Sequence, residues 1–402
     1  MSDNPDNQVW LLSHSYLPAR GGIENYLSEV SRKLCEKGYR PTVICRRQNP
    51  ELAEEEEIAG VRVIRHPDFS VPRSRLFTKH LYLANRLTAW LKASRLCRDG
   101  WAICRYPHYQ YALSSLIQRC PSLYLPGAIW PAQTSLASRG RGFKERVFAR
   151  LAGKQVARLE RFALTSADHI SVFSRNMRSQ VNGFYGIDPR KISINPPGVN
   201  PARFRPRPQQ PELTALLNLP PGIPRILYLG RLSPEKNLIF LIRVLAELLK
   251  QNRALLLIVG DGPDREASEG EAKLLRCADS IRWVGATSEP EIYYSISDIF
   301  VSLSLYEPFG QNLIEAMASG LPVIALKSSP PRIMTAAEEI IAEGANGYTV
   351  SGEPPELRTR IEELLSSPRS RERMGQRGRE ICQERFSWER HIKKLLSLTA
   401  DR

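Results

Sequence analysis

No stretch of this sequence approaches the roughly 20 apolar residues that a helix needs to cross a bilayer. The longest apolar run, "ALLLIVG" at 254–260, has the length of a buried strand. The opening "MSDNPDNQVW" is polar and acidic and lacks the charged-then-apolar pattern of a secretory leader. Cysteine is sparse and scattered: Cys35, Cys45, Cys97, Cys104, Cys120, Cys277 and Cys382 are odd in number and contain no C-x-x-C. That argues against a disulfide framework or a cysteine zinc site and for reduced thiols in the cytosol. Acidic residues are scarce in one half only. Residues 1–200 hold 30 Lys and Arg against 16 Asp and Glu, whereas 201–402 hold 27 against 26. Nearly all of the net charge of +15 lies in the first half, so a broad acidic partner would meet that half. A nucleic acid is one such partner, but no recognition motif or aromatic-basic interleaving supports it.

A chain of 402 residues is too long for one ordinary core, and two domains are expected. "QVWLLSHSYLP" is a strand candidate. After it, Ile23, Leu27, Val30 and Leu34 repeat at helical spacing up to Gly38, and "PTVICRR" is the next strand. Strand, glycine turn, helix, strand is how a doubly wound α/β domain opens. The acidic run 54–57 reads as a solvated loop before the strand "VRVIRH". A helix follows with Phe77, Leu81, Ala84, Leu87 and Leu91 on one face, and "HISVFS" and "ISINPPG" are later strands. Nine of the 30 prolines fall between Pro196 and Pro224, which reads as a linker. The pattern then restarts: "RILYLG", "ALLLIVG", "IRWVG", "IFVSLS" and "LPVIAL" are strands, with helices between them and from Glu356 onward. The expected division is 1–200, 201–385, and a terminal helix at 386–402 that packs back on the first domain. Two Rossmann-like halves in tandem would leave a ligand cleft at the carboxyl ends of both sheets.

Several residues suit chemistry in such a cleft. Gly21 and Gly22 follow a strand and open a helix, where glycine lets a ligand approach the backbone; a tight turn alone would also account for them. Arg231 and Lys236 leave the first strand of the second half, and a guanidinium fork with an ammonium suits a diphosphate; two solvated surface cations are the plainer reading. In "YEPFGQNLIEAMASGLPVIA", Glu307 leaves a strand at the same edge. Gly310 permits close backbone approach, Gln311 begins a helix whose free N–H groups hold anions, and Glu315 lies about one turn inside. A carboxylate accepts two neighbouring hydroxyls, so one glutamate could hold each end of a nucleotide-sugar. Exposed glutamates at a helix end are the alternative, but Glu315 interrupts an apolar run and needs a partner if buried.

The motifs "GGIE", "GRLSPEKN", "LLIVGDGP" and "EPFGQNLIEAMASGLPVIA" with its E-x7-E spacing resemble those of the group 1, family 4 glycosyltransferases. "PPGVNPARFRP" and "FSWERH" fit more loosely. The resemblance spans essentially the whole chain and implies the GT-B fold, two Rossmann-like domains facing each other across a deep cleft. It implies sugar transfer with retention of configuration from a nucleotide-sugar to a hydroxyl acceptor, such as a lipid-linked or surface-polysaccharide precursor. It implies a nucleotide-sugar as co-substrate, UDP-sugar ahead of GDP- or ADP-sugar, with no bound cofactor and no metal. In this family Glu307 would contact donor-sugar hydroxyls and Glu315 the ribose. Arg231 and Lys236 would bind the diphosphate beneath the backbone of Gly22. Phe309, Gly310, Gln311, Asn312 and Leu313 would contact sugar and phosphate through the backbone, and Val284 and Gly285 would lie near the base.

Three features depart from the family pattern. Many members carry a histidine after a middle strand of the first domain, where this chain has "SLYLPGAIWPAQ"; His14 and His108 are candidates to stand in on the acceptor side. The acidic residue usual after "G-V" is Asn200, and "KSSPPRIMTAAEEII" replaces a glycine-rich loop. Further, Arg146, Arg150, Lys154, Arg158 and Arg161 form a basic stripe on one helix, with Phe148, Leu151, Leu159 and Phe162 for its apolar face. It reads as a contact for an anionic membrane surface or an acidic acceptor, or as an ordinary solvated face. The expected setting is cytoplasmic, peripheral at the inner face of the membrane. A nucleotide-sugar epimerase on the same fold is the alternative enzyme, and a basic nucleic-acid-binding protein a third reading.

Overall fold

The computed structural model describes residues 7–19, 21–137, 143–208 and 210–400, leaving aside the side chains of 76–77, 134–137, 143–151 and 400. The chain divides into two compact units, Met1–Pro197 with Trp388–Arg402, and Gly198–Ser387.

Unit 1 is built on eight strands: β1 (Gln8–Leu12), β2 (Arg40–Arg46), β3 (Glu55–Ile58), β4 (Val61–His66), β5 (Trp101–Cys104), β6 (Ser122–Tyr124), β7 (His169–Val172) and β8 (Ile192–Ile194). Their order is β3-β4-β2-β1-β5-β6-β7-β8. Every pair is parallel except β3–β4. Val9, Leu11, Leu12, Val43, Ile44, Ile103 and Leu123 are fully buried, because helices cover a parallel sheet on both faces. The helix Gly22–Glu36 supplies one cover by burying Leu27, Val30 and Leu34. The strand order reverses between β1 and β5, which opens a crevice at their carboxyl ends.

Two expectations are corrected here. The acidic run is not a loop but the edge strand β3, with Glu57 opposite Arg62. Glu55 pairs with Arg62 at 2.6 Å and Glu56 pairs with buried Arg65. Arginines across the ladder offset the carboxylates, and a charged edge resists pairing with another strand. The helix after β4 begins as a 3-10 turn, Arg73–Thr78, and continues as the α-helix Lys79–Ser94. Ala84, Leu87 and Leu91 are its buried face, while Leu81 is 43% exposed; the Phe77 side chain lies outside the described residues.

The last helix, Trp388–Ala400, belongs to unit 1. Glu389 meets Lys33 at 2.6 Å. His391 Nδ1 lies 2.9 Å from the Pro196 carbonyl, which can only accept, so Nδ1 donates there. In the neutral ring Nε2 then accepts from the Tyr26 hydroxyl at 2.7 Å. Burial pushes the imidazole down to about 3.

Unit 2 has six parallel strands: β9 (Arg225–Leu229), β10 (Leu255–Val259), β11 (Ile281–Gly285), β12 (Ile299–Ser302), β14 (Val323–Leu326) and β16 (Gly347–Val350). Their order is β11-β10-β9-β12-β14-β16, so the switch point lies between β9 and β12. A separate parallel pair joins β13 (Tyr306–Glu307) to β15 (Met334–Thr335). The core includes Leu241, Ile242, Leu245, Leu248 and Leu249 from the helix Leu238–Lys250. The proline-rich passage is packed rather than a free tether. Phe204 is buried against Tyr294 with ring centroids 5.9 Å apart, Arg203 pairs with Glu291 at 2.9 Å, and Pro211–Leu216 is a helix. Among the described residues no helix is long and apolar enough to cross a membrane.

Candidate active site

In unit 2, Arg231, Lys236 and Glu307 follow the strands on either side of the β9/β12 switch point. After β9 the chain makes the 3-10 turn Pro234–Lys236, and left-handed Asn237, with φ 60°, starts the next helix. After β12 it reaches Glu307, which the neighbouring loops hold in place. Leu305 N donates to Glu235 O at 2.7 Å, Met334 N to Leu305 O at 2.8 Å, and Ala336 N to Glu307 O at 3.2 Å. As a result Lys236 Nζ and Glu307 Oε2 stand 2.7 Å apart, both only partly exposed. Arg231 is exposed and has no ion-pair partner among the described residues.

Glycine packing fixes the loop that carries these cations. Gly260, at φ +137°, leaves no room for a Cβ, which would lie 1.9 Å from the Gly230 carbonyl. The loops after β9 and β10 therefore press backbone on backbone. Gly260 and Gly230 lie in the quoted motifs, but their role becomes visible only in this contact.

Gly310, at φ 109°, turns the chain into the helix Gln311–Ala318, and no side chain caps its N-terminus. Leu313 N donates to Gly310 O at 3.0 Å, and uncapped first-turn N–H groups of this kind favour an anion. Asn312 Nδ2 donates to Leu229 O at the end of β9, at 3.3 Å, and Gln311 Nε2 to Gly198 O at 3.1 Å. Phe309 and Leu313 are buried and anchor the turn from below. Glu315 lies one turn in and accepts from the Tyr294 hydroxyl at 3.2 Å. Burial pushes its carboxyl up to about 7, partly offset by the bond from Tyr294 and by the charge of Arg203. Tyr294 is thus the partner that a half-buried Glu315 needs. Val284 and Gly285 end β11, two strands from the switch point, where the Gly285 carbonyl accepts from Gly260 N at 2.7 Å.

In unit 1, Gly21 is extended and precedes the first turn of Gly22–Glu36, while a Cβ on Gly22 would meet open space. His14 lies just beyond β1 and His108 just beyond β5, so both reach the unit 1 switch point. The structure brings them into one cavity of about 420 Å³ with two histidines the sequence reading passed over, His66 and His80. Four of the chain's six histidines line this space. Arg46, Asp68, Lys79, Tyr106 and Trp130 line it as well. His80 Nδ1 lies 3.1 Å from His108 Nε2, so one ring donates to the other. Burial brings His108 to about 3 and His66 to about 4 and lowers His80, while the packed chain and the charge of Arg46 lower His14 at the exposed rim, so these are neutral imidazoles at pH 7. His66, at the last position of β4, was findable by the same strand-end rule that singled out Glu307.

Trp130 is held by a buried carboxylate that was also missed. Glu160 accepts from Trp130 N at 3.0 Å and from the Tyr185 hydroxyl at 2.5 Å, and burial pushes it up to about 7. In the helix Phe143–Ser166, Lys154, Arg158 and Arg161 are exposed. The side chains of Arg146, Arg150, Phe148 and Leu151 lie outside the described residues. The apolar face differs from expectation: Val156, Leu159 and Ala163 are buried, whereas Phe162 is 38% exposed and lies against Tyr111 at 4.9 Å. Position 162 is rotated off the 156–159–163 row by helical geometry. No group of three or more His, Cys, Asp or Glu placed to hold a metal ion occurs among the described residues.

A family profile described as "Glycosyltransferase Family 4" matches residues 20–203, and one described as "Glycosyl transferases group 1" matches residues 209–381. A GDP-mannose-dependent alpha-(1-6)-phosphatidylinositol monomannoside mannosyltransferase of Mycobacterium tuberculosis is 26% identical over 414 residues, covering 97% of each chain. A D-inositol 3-phosphate glycosyltransferase of Catenulispora acidiphila is 26% identical, covering 92% of this chain and 87% of its own. Among solved structures, a sucrose-phosphate synthase from Thermosynechococcus elongatus superposes with a TM-score of 0.78 at 23% identity, over 97% of this chain and 98% of that one.

Proposed function

Because this chain belongs to the group 1, family 4 glycosyltransferases, we propose that it transfers a sugar from a nucleotide-sugar to an acceptor hydroxyl, with retention at the anomeric carbon and without a metal ion. The observation that carries this reading is the Lys236–Glu307 pair at 2.7 Å beside the uncapped helix behind Gly310. One carboxylate, one ammonium and an uncapped helix start sit at a strand switch point, the usual ligand position in such sheets.

Each group has a distinct role in the proposal. Glu307 accepts from donor-sugar hydroxyls, while Lys236 and exposed Arg231 stabilise the charge that develops on the leaving diphosphate. The N–H groups after Gly310 add to that stabilisation, and their contact is through the backbone of 309–313. Glu315 accepts from ribose hydroxyls, and Val284 and Gly285 lie near the base. UDP is the first candidate nucleotide, with GDP next because one relative is GDP-mannose-dependent. The histidine cavity of unit 1 takes the acceptor.

The test is a panel of UDP-, GDP- and ADP-sugars with the purified protein, read as nucleotide released and repeated with EDTA. Release with one donor, undiminished by chelator, is expected; NMR of the product should show the donor's anomeric configuration. Inertness toward the whole panel refutes the reading. Loss with EDTA and recovery with Mg²⁺ or Mn²⁺ refutes the metal-free part alone.

A further inference from the structure

We infer that the acceptor is anionic: the unit 1 cavity binds a polyhydroxylated ring through a phosphate group. This rests on the reading of that cavity as the acceptor side. The charge balance of the lining points to an anion. Arg46 and Lys79 bring two fixed cations, and the one carboxylate, Asp68, is engaged by Arg46 at 3.4 Å. Lys79 is exposed and has no ion-pair partner among the described residues.

The histidines divide by what their nitrogens already do. His66 is saturated: Nδ1 lies 2.8 Å from the Pro67 carbonyl and Nε2 lies 2.8 Å from the Tyr109 hydroxyl. Its ring stacks on Phe69 at 5.2 Å and 10°, forming an apolar wall. Among the described residues, His80 and His108 satisfy only one nitrogen each, through their mutual bond. His14 is exposed, with its ring tilted against Tyr106 at 5.6 Å. Three imidazoles thus retain hydrogen-bonding capacity next to two cations. A neutral sugar would use the imidazoles and leave Lys79 without a counter-charge. A phosphate uses both, through charge-assisted bonds from Lys79 and Arg46. The volume of about 420 Å³ falls in the range of small-molecule sites.

Calorimetric titration tests this with glucose 6-phosphate and myo-inositol phosphate against glucose and myo-inositol, and with phosphatidylinositol vesicles against phosphatidylcholine vesicles. At least tenfold tighter binding of the phosphorylated member of either pair is expected. A soluble-only preference identifies a free sugar phosphate, and a vesicle-only preference that Lys79→Met removes identifies a lipid headgroup; one that Lys79→Met leaves intact belongs to the basic stripe and overturns the inference. Lys79→Met, at an exposed position, should weaken that binding at least tenfold while leaving nucleotide-sugar binding and the melting temperature unchanged. Equal binding of phosphorylated and neutral probes, or no binding of any, overturns the inference. So does a Lys79→Met variant that binds as wild type. If the nucleotide-sugar panel is active with a neutral acceptor, the inference falls and the transferase reading stands; an inert panel with phosphate binding intact does the reverse.

Discussion

Lys236 and Glu307 are 71 residues apart in sequence, yet their charged atoms meet at 2.7 Å across the β9/β12 switch point. The pair has a consequence for both roles proposed above. The ion pair fixes the position of the Glu307 carboxylate, and it holds Lys236 at the place where a leaving diphosphate needs a positive charge. Glu307→Gln should cut turnover by roughly 10²-fold, about 3 kcal/mol of transition-state stabilisation. Its melting temperature should stay within a few degrees of wild type, because the site is partly exposed. Near-normal turnover would remove Glu307 from the reaction.

Glu315 should make donor binding depend on pH. Its carboxyl sits at about 7 in the free protein. Ribose hydroxyls donate to the ionised form, so binding favours loss of the proton and weakens as pH falls below 7. The dissociation constant of the active nucleotide-sugar, measured without acceptor, should rise up to about tenfold per pH unit below 7. Glu315→Gln should bind more weakly at pH 8 and lack the step. An unchanged step in that variant would show that another group titrates.

His391 should contribute stability that is present above pH 6.5 and lost as pH falls toward 3. Its folded value of about 3 lies below the ordinary 6.5, so the unfolded chain binds the proton that the folded chain excludes. The loss amounts to about 1.4 kcal/mol per pH unit in that window. Glu160 and Glu315, both raised to about 7, act in the opposite sense, gaining stability as pH falls through 7. The comparison of wild type with His391→Phe isolates the histidine. The variant should melt lower at pH 7.5, having lost the bonds to Tyr26 and Pro196, but its melting temperature should fall less steeply between pH 6 and 4. Parallel curves would assign the acid loss elsewhere.

The basic stripe should bring the protein to anionic membranes reversibly. Each Lys or Arg near such a surface contributes about 1 kcal/mol, within a Debye length of about 8 Å at physiological salt. Cosedimentation with anionic liposomes is expected, less with neutral ones, with release at high salt. Replacing Arg146, Arg150, Lys154 and Arg158 by Gln should weaken it and leave nucleotide-sugar binding intact. If wild type ignores anionic liposomes even at low salt, the stripe is an ordinary solvated face.

Much of this protein was legible from local sequence. The repeated alternation of apolar strand, turn and helix declares two parallel α/β halves, because both faces of a parallel sheet must be covered. Glu307, Glu315, Arg231 and Lys236 were readable because each stands at or just beyond a strand's carboxyl end, or in the helix that follows. The misreadings came from long-range partners. The acidic run became β3 because Arg62 and Arg65 lie across from it, and Leu81 faces outward because tertiary packing, not periodicity alone, chooses the buried stripe. "KSSPPRIMTAAEEII" looked like a departure from pattern, yet it supplies β15, the strand that pairs with Glu307. Four dispersed histidines meet in one cavity because β1, β4, β5 and the helix Lys79–Ser94 bring their ends to the same edge of the sheet. The chain alone determined which elements form and which residues stand at their ends, since those follow from local chemistry. Only the tertiary structure decided which ends meet, since strand order is set by crossovers that no local pattern encodes.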